Sequence, residues 1–306
     1  MRGYVTDPAG RAGLLLADDL PEPTPAPDES VVEVRAFAIN AGEARLIQMR
    51  PDRWRPGQDV AGVVVRAAAD GGGPPVGARV AARLDWEGWA ERVPVPTSRA
   101  ARFDDRVSFE QAATLPVAGL TALRALWQGG AVFGRRVLVT GATGGVGQFA
   151  VQLAALAGAR VTAWVSGADR EEEARELGAH SVITSLADGD GPFHLVLDGV
   201  GGPGLTEALH RTAPDGTVVL YGGPGGAAEI RLGDFYRSAH NGRIVGFISD
   251  APEDAIGADL TVLTDLVAEG RLRPRIGLAA DWRETPAAFE ALAERKVRGK
   301  AVLTIG

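Results

Sequence analysis

The segment with the clearest chemical use is the glycine-rich stretch at 141–147, which reads Gly-Ala-Thr-Gly-Gly-Val-Gly. An apolar run at 137–140 precedes them and a helix-forming run follows at 148–157. A strand, a tight turn and a helix N-terminus in this order aim free backbone N–H groups and the helix dipole at a phosphate. Gly144 would let the backbone approach a pyrophosphate, and Gly147 would let helix and strand pack closely. The alternative, since Ala142 replaces the first glycine of G-x-G-x-x-G, is a turn that binds nothing.

The end of the next apolar run, at residues 160–165, indicates which dinucleotide would bind. The NAD pattern has an acidic residue about 20 positions after the glycine loop, where it accepts hydrogen bonds from the ribose. Ser166 and Gly167 stand there, and Arg170 follows. A carboxylate would repel a 2′-phosphate, whereas serine and arginine can bind one. The pattern favours NADPH. The alternative for Arg170 is a solvated residue that pairs with Glu171 or Glu173.

A repeating strand–helix pattern would position these groups. Four further apolar runs lie at 181–184, 193–198, 217–221 and 243–248, and a charged helix is predicted at 169–177. Short apolar runs separated by helical segments are typical of strands buried on both faces of a parallel sheet. The sequence therefore predicts an α/β domain in this part of the chain.

The first hundred residues follow a different pattern. Short strands are predicted at 31–39, 59–66, 77–82 and 88–93, separated by glycine and proline turns. Such spacing indicates an antiparallel β barrel or partial barrel. The C-terminal part predicts two helices and a final strand, at 259–269, 286–295 and 301–305.

Composition narrows the class of protein. The chain has 306 residues, 45% of them hydrophobic, with a net charge of −7 and no cysteine. This length predicts two domains, and the absence of a basic stripe argues against a nucleic-acid partner. Without cysteine there is no disulfide and no thiolate ligand for zinc, and the four histidines are scattered singly. No apolar run approaches membrane-spanning length, so we expect a cytoplasmic protein without a membrane partner. Because thiolates are missing and the histidines are scattered, we expect no metal partner either.

Several motifs in fixed order resemble the medium-chain dehydrogenase/reductase superfamily. The resemblance is to its zinc-free branch of NADPH:quinone oxidoreductases and the related enoyl reductases of polyketide synthases. It covers nearly the whole chain. The motifs are AFAINAGEARL around Asn40, DVAG at 59–62, ATLPVAGLTAL at 113–123, GATGGVGQFAVQL at 141–153, ELGA at 176–179 and GKAVL at 299–303. The resemblance implies a GroES-like β-barrel catalytic domain at 1–115 and 255–306 and a Rossmann doubly wound parallel-sheet domain at 116–254.

The resemblance also implies roles for individual residues. Thr121 would bind the nicotinamide carboxamide, and Asn40 would lie near the nicotinamide and the substrate. Glu43 stands where the family's Asn-x-x-Asp pattern has aspartate. The alternatives are a helix hydroxyl bonded to its own backbone for Thr121 and a turn-forming cap for Asn40. The cofactor contacts would come from Thr143, Gly144, Gly145, Val146, Gly147, Ser166, Arg170, Gly199, Val200, Tyr221, Gly222, Phe247 and Lys300.

Three functions remain open at this point. One is an NADPH-dependent reductase of quinones or α,β-unsaturated carbonyls, in which water supplies the proton. The second is a stand-alone enoyl reductase that acts on a carrier-bound acyl thioester. The third is a nucleotide-binding protein with little turnover, in a sensing, structural or RNA-binding role. The first of these, with NADPH and a small-molecule substrate, is the function that we expect.

Two further features bear on the substrate and on assembly. In the loop at 48–55, Trp54 could stack on a planar substrate or merely cover the barrel. Arg50, Arg53 and Arg55 could attract an anionic substrate, although simple solvation is the favoured interpretation. The family usually pairs through the strand at 243–248, so we expect a homodimer; the alternative is a monomer whose edge is covered by residues 249–252.

Overall fold

The computed structural model describes residues 1–249 and 255–306. The chain forms two compact units, one made of Met1–Leu120 and Asp250–Gly306, the other of Thr121–Ser249. The end of the domain expected at 116–254 and most of the segment 249–252 therefore lie outside the described residues.

The first unit begins with short strands and two short helices. Its elements up to residue 119 are β1 (Gly3–Thr6), β2 (Leu14–Ala17), β3 (Glu29–Ile39), α1 (Ala41–Met49), β4 (Asp59–Arg66), β5 (Arg79–Arg83), β6 (Arg92–Pro96), β7 (Ala100–Arg102), α2 (Phe109–Ala113) and a π-helical turn (Leu115–Gly119). β1 and β2 form an antiparallel pair of their own. β3 is the longest strand and pairs with both β4 and β6.

The second unit alternates strands and helices. Its elements are β8 (Arg136–Thr140), α4 (Gly147–Leu156), β9 (Arg160–Trp164), α5 (Glu171–Glu176), β10 (Ser181–Ile183), β11 (Phe193–Asp198), α6 (Gly202–His210), β12 (Thr212–Leu220), α7 (Leu232–Arg237) and β13 (Arg243–Gly246), preceded by α3 (Leu120–Trp127). The six strands pair in the order β10-β9-β8-β11-β12-β13, and every pair is parallel. The predicted α/β architecture with a parallel sheet is confirmed.

The C-terminal segment returns to the first unit. It contains α8 (Ile256–Ala268), β14 (Ile276–Asp281), α9 (Thr285–Ala293) and β15 (Lys300–Thr304). The sheet of this unit runs in the order β14-β15-β3-β4-β5-β7, with β6 added on β3. β14 and β15 are parallel while the other pairs are antiparallel, so the sheet is mixed. The strands up to Arg102 pair antiparallel with one another, as expected from the sequence.

Each unit has its own apolar core. In the first, Trp89 stacks on Phe37 with ring centroids 5.5 Å apart and also contacts Phe289 at 5.3 Å. In the second, Leu138 and Phe193 are fully buried against the helices that flank the sheet. The aromatic contacts tie residues from three distant parts of the chain into one core.

Several strand boundaries differ from the predicted ones. The strands expected at 77–82 and 88–93 lie at Arg79–Arg83 and Arg92–Pro96. Gly77 has a positive φ of 86°, which belongs to a turn, and Gly88 donates its N–H to Gly57 rather than to a strand. β12 begins at Thr212 rather than 217, because a register shift lets Thr212 pair with Phe193 before the regular ladder starts. The strands at 59–66 and 193–198 are confirmed at their predicted bounds.

Candidate active site

The glycine loop joins β8 to α4 as a tight turn. Gly141 has a φ of 60°, and the N–H of Gly144 donates to its carbonyl at 2.9 Å. A Cβ on Gly147 would lie 2.2 Å from the Gly141 oxygen, so no larger residue fits at the start of the helix. The loop can therefore present its N–H groups to an anion at the helix N-terminus.

The residues expected to contact the cofactor in this unit follow the carboxyl ends of neighbouring parallel strands. Ser166 comes after β9, Gly199 and Val200 after β11, Tyr221 and Gly222 after β12, and Phe247 after β13. The chain order reverses between β8 and β11, which are adjacent in the sheet. Ligands of open α/β sheets bind outside the strand ends at such a switch point. The fold thus brings these residues to one edge of the sheet.

A threonine and an aspartate connect the two strands at this switch point. The Thr140 hydroxyl donates to Asp198 Oδ1 at 2.5 Å and accepts from the N–H of Gly199 at 3.1 Å. The other carboxylate oxygen of Asp198 accepts from the N–H of Gly201 at 2.8 Å. Both side chains are buried. They shape the loop after β11, and sequence analysis did not select either of them.

The side chain of Arg170 lies beside the glycine loop. Its Nη1 donates to the Thr143 hydroxyl at 3.1 Å, although the two residues are 27 positions apart. Glu171, one of its expected alternative partners, binds Arg175 at 3.1 Å. Thr143 is buried, whereas the Arg170 side chain is half-buried. A guanidinium group thus stands at the loop where an anion would bind.

Tyr221 lies one residue beyond β12, against the glycine that follows β11. A Cβ on Gly199 would lie 2.6 Å from the Tyr221 ring, so this pair requires glycine. The Tyr221 hydroxyl is buried and has no hydrogen-bond partner. Burial, together with the nearby Asp198 charge, raises the pKa of this hydroxyl above its ordinary value, so it stays protonated.

Thr121 lies in the first turn of α3 and is buried. Its hydroxyl donates to the Ser249 hydroxyl at 3.1 Å. Arg124, one helical turn later, donates to the Ser249 carbonyl at 2.6 Å. The structure thus places Thr121 next to the segment that follows β13.

In the first unit, Asn40 follows β3 directly and caps α1. Its Oδ1 accepts from the Lys300 ammonium group at 2.6 Å. Its Nδ2 donates to Asp59 Oδ2 at 2.8 Å and to Glu43 Oε2 at 3.3 Å. Both amide hydrogens therefore have acceptors, and the orientation of the amide is fixed.

Lys300 and Asp59 form a buried ion pair beneath Asn40. Their charged atoms are 3.1 Å apart, and the side chains are 2% and 0% exposed. Lys300 also donates to the Ile39 carbonyl at 3.3 Å, so all three ammonium hydrogens have acceptors. Asp59 Oδ1 accepts from the N–H of Val117 at 2.6 Å. Lys300, expected as a cofactor contact, lies in the first unit and binds Asn40 and Asp59 there.

Glu43 completes this polar cluster from the first turn of α1. Its Oε2 accepts from the backbone N–H of Asn40 at 2.7 Å, and its Oε1 is buried without a partner. Burial, and next the Asp59 charge, raises the pKa of Glu43 to about 8. A neutral Glu43 leaves the cluster with one negative and one positive charge. We refer to Asn40, Glu43, Asp59 and Lys300 as the Asn40 cluster.

Comparison with known proteins gives consistent matches. A family model described as zinc-binding dehydrogenase matches residues 145–264. A probable zinc-binding oxidoreductase, mitochondrial, from Arthroderma benhamiae is 30% identical over 92% of this chain and 91% of its own length. The chain belongs to the medium-chain dehydrogenase/reductase family. Within this family it is quinone oxidoreductase-like and related to polyketide enoyl reductases, and it is an oxidoreductase of that kind.

Two other known proteins are similar to this dehydrogenase/reductase. The quinone oxidoreductase from Coxiella burnetii shares its fold with a TM-score of 0.85 and 26% identity, covering 100% of this chain and 99% of that chain. The spectinabilin polyketide synthase system protein NorB from Streptomyces orinoci is 34% identical over 92% of this chain, which is 13% of that protein.

Two features of the described residues concern membrane and metal binding. None of the helices within residues 1–249 and 255–306 combines the length and the apolar character that a membrane span requires. Within the same ranges, no three or more histidine, aspartate or glutamate side chains are grouped so that they could hold a metal ion.

Proposed function

We propose that this dehydrogenase/reductase transfers hydride from NADPH to a quinone or an α,β-unsaturated carbonyl compound without zinc. The observation that carries the proposal is the Arg170 guanidinium, 3.1 Å from the Thr143 hydroxyl in the glycine loop. An arginine here offers a charge-assisted hydrogen bond to a 2′-phosphate, a group that NADH lacks. Ser166, rather than a carboxylate, follows β9 beside it.

The glycines of the second unit support the fit of a dinucleotide. Gly147 permits the close contact of helix and loop, and Gly199 leaves room for the Tyr221 ring. When bound, NADPH supplies the hydride from its nicotinamide ring. The remaining contacts proposed at Gly145, Val146, Val200, Gly222 and Phe247 all follow the carboxyl ends of β8, β11, β12 and β13. We propose that Thr121, held by Ser249, orients the carboxamide.

In the first unit the Asn40 cluster supports a positioning role. We propose that Lys300 holds Asn40 in one orientation rather than contacting the cofactor, because all of its ammonium hydrogens are already used. Glu43 takes the place of the family's aspartate by accepting from the Asn40 backbone. Water supplies the proton that follows hydride transfer.

Steady-state oxidation of NADPH and NADH against quinones, enones and enoyl thioesters tests the proposal. We expect turnover with NADPH on a quinone or an enone. The proposal would be overturned if only NADH supported turnover, or if neither dinucleotide was oxidised with any acceptor in the panel. The 34% identity to a polyketide synthase protein favours a second candidate, an enoyl thioester reductase, and turnover confined to the thioesters would select it.

We also propose a homodimer that pairs through β13. This strand is the last in the sheet, and its residues are exposed or half-buried. A two-fold pairing would cover this edge. Light scattering should give twice the mass of the 31.8 kDa chain, and Val245→Lys should shift the mass towards the monomer by like-charge repulsion. A single-chain mass for the unaltered protein would rule the dimer out.

A further inference from the structure

Several arginines of this chain bind carboxylates through the edge of the guanidinium group formed by Nε and Nη2. Arg92 donates from these two atoms to Glu22 at 2.8 and 2.7 Å. Arg106 does the same to Asp104 at 2.8 and 3.3 Å, and Arg11 to Glu290. This two-atom edge matches the two oxygens of a carboxylate. We call it the side-on edge.

Arg55 differs from these arginines because its side-on edge is empty. Its Nη1 binds Glu87 Oε2 at 2.7 Å, and the side chain is 19% exposed. Its Nε and Nη2 are buried and have no hydrogen-bond partner. Buried donors without partners are rare in native proteins, because the lost hydration is not replaced. A group that accepts hydrogen bonds from both atoms would remove this penalty.

The position of Arg55 is at the end of the sheet that carries the Asn40 cluster. It precedes Asp59, the first residue of β4, by four residues, so the two Cα atoms are within about 14 Å of each other. The Arg55 carbonyl accepts from Glu87 at 3.2 Å, and Gln58 accepts from Leu84 at 2.9 Å. Ala38 pairs with Asp59, so β3 ends here as well.

Of the three arginines in this loop, Arg55 is the one whose unpartnered donor atoms are buried. Arg53 binds both oxygens of Asp19, at 2.8 and 3.0 Å. The Arg50 guanidinium lies over the rings of Trp54 and Trp86, at 5.3 and 5.8 Å from their centroids. The two rings are themselves 4.8 Å apart. This loop therefore holds two half-buried tryptophan rings and, at Arg55, a guanidinium edge suited to an anion.

We propose that Nε and Nη2 of Arg55 bind an oxyanion carried by the substrate. The group would be a carboxylate or a phosphate, which share two acceptor oxygens on one anion. This inference rests on the proposed reductase function and narrows its substrates to conjugated carbonyl compounds with an anionic group. It gives Arg55 a role in substrate selection rather than in the chemical step.

Steady-state kinetics with two matched substrate pairs test the inference. The first pair is 4-oxo-2-pentenoate and the neutral 3-hexene-2,5-dione, in which an acetyl group replaces the carboxylate. The second is crotonyl-coenzyme A and the neutral crotonyl thioester of N-acetylcysteamine. The variant R55K keeps the positive charge but loses the two-atom edge. R53K is the control, since Arg53 lies in the same loop and binds the exposed Asp19.

R55K should raise the KM of the anionic member of one pair by roughly 10- to 100-fold, the size of a lost charge-assisted hydrogen-bond pair. Both neutral substrates should keep their KM within about twofold, and R53K should change none of the four. A raised KM for 4-oxo-2-pentenoate identifies the bound group as a carboxylate, and a raised KM for crotonyl-coenzyme A identifies it as a phosphate. An equal rise for neutral and anionic substrates, or no rise, would overturn the inference. R55Q replaces R55K if the lysine variant does not fold.

A binding measurement separates this inference from the proposed function. The ligands 4-oxo-2-pentenoate and crotonyl-coenzyme A are added to the unaltered protein and to R55K, and Tm is recorded without turnover. One of them should raise the Tm of the unaltered protein and leave that of R55K unchanged. If that holds while no substrate is reduced, the proposed function fails and the Arg55 site stands. No shift, or the same shift in both proteins, overturns the Arg55 site.

Discussion

The two units of this chain use their polar groups in opposite ways. In the first unit the polar side chains of the Asn40 cluster bind one another, and Lys300 has an acceptor for each ammonium hydrogen. In the second unit the candidate groups are backbone N–H groups at strand ends and an arginine that touches one hydroxyl. The first arrangement is closed and fixes geometry, whereas the second is open and suits a ligand.

This contrast explains why a basic side chain serves a different purpose in each unit. Lys300 is 2% exposed and bound to three oxygens, so its charge is used inside the protein. Arg170 is half-buried at the glycine loop, so its charge is available to an anion. A buried charge without its partner destabilises a fold strongly, whereas a charge next to a ligand mainly affects binding. Substitutions of the polar groups should therefore change mainly stability in the first unit and mainly ligand affinity in the second.

The largest effect is expected when the buried ion pair is broken. Lys300→Met removes the ammonium group from Asp59 and Asn40 while nearly keeping the side-chain volume. The free energy of unfolding should fall by about 3–5 kcal/mol, because Asp59 would remain buried and charged. Urea denaturation measures this change. The control Lys296→Met breaks an exposed pair with Glu294 and should change stability by less than about 1 kcal/mol. If both variants lowered the free energy of unfolding equally, the buried ion pair would not be the more important one for stability.

A second test uses the pH dependence of stability. The pKa of Glu43 is raised to about 8 in the folded protein, against an ordinary value of 4.5. The folded state therefore holds a proton that the unfolded state loses, so the stabilisation is complete below about pH 4.5 and is lost as pH rises to about 8. Glu43→Gln can still accept from Asn40 but does not ionise. Between pH 5 and 8 the unaltered protein should lose a few kcal/mol relative to this variant.

Urea unfolding at several pH values measures the difference. The control is Glu290→Gln, because Glu290 is exposed and its pKa is lowered by Arg11, so it is ionised in both states above pH 6. Parallel stability curves for Glu43→Gln and the unaltered protein would show that Glu43 is charged in the fold.

The open site of the second unit should respond in affinity instead of stability. Arg170→Ala should weaken NADPH binding by about 1.5–3 kcal/mol and leave NADH binding nearly unchanged. Isothermal titration of both dinucleotides measures this. Arg175→Ala, which removes an exposed helix pair with Glu171, is the control and should affect neither. Equal losses for NADPH and NADH would contradict a 2′-phosphate contact.

The smallest expected effect is that of chelation. Dialysis against a chelator should leave NADPH oxidation unchanged, because the chain has no cysteine to hold a catalytic zinc. Elemental analysis of the dialysed protein is the accompanying measurement. Stoichiometric zinc that is needed for turnover would refute zinc independence.

The parallel sheet and the glycine loop could be predicted from the sequence for a local reason. Strands such as Phe193–Asp198 are buried on both faces, so their apolar runs stand out from their flanks. The turn at Gly141–Gly147 requires glycine within seven positions of the chain. By contrast, β14 was missed although it is as long as Phe193–Asp198, because its residues are only half-buried or exposed and form no apolar run.

Contacts between distant residues could not be predicted in this way. Lys300 and Asp59 are 241 residues apart, and they meet because β15 and β4 both pair with β3. The same holds for Thr143 and Arg170, 27 residues apart. For the loop arginines the sequence allowed only solvation or a general attraction for anions, whereas the structure distinguishes Arg53, bound to Asp19, from Arg55 with its empty edge.

The sequence by itself determined the strand–helix pattern, the turn that needs glycine and the absence of cysteine, because these depend on the side chains of near neighbours. The tertiary structure decided which charges are used within the protein and which remain available to a ligand. Whether a lysine or arginine is satisfied depends on the oxygens that sheet pairing brings to within about 3 Å, and those oxygens come from distant parts of the chain.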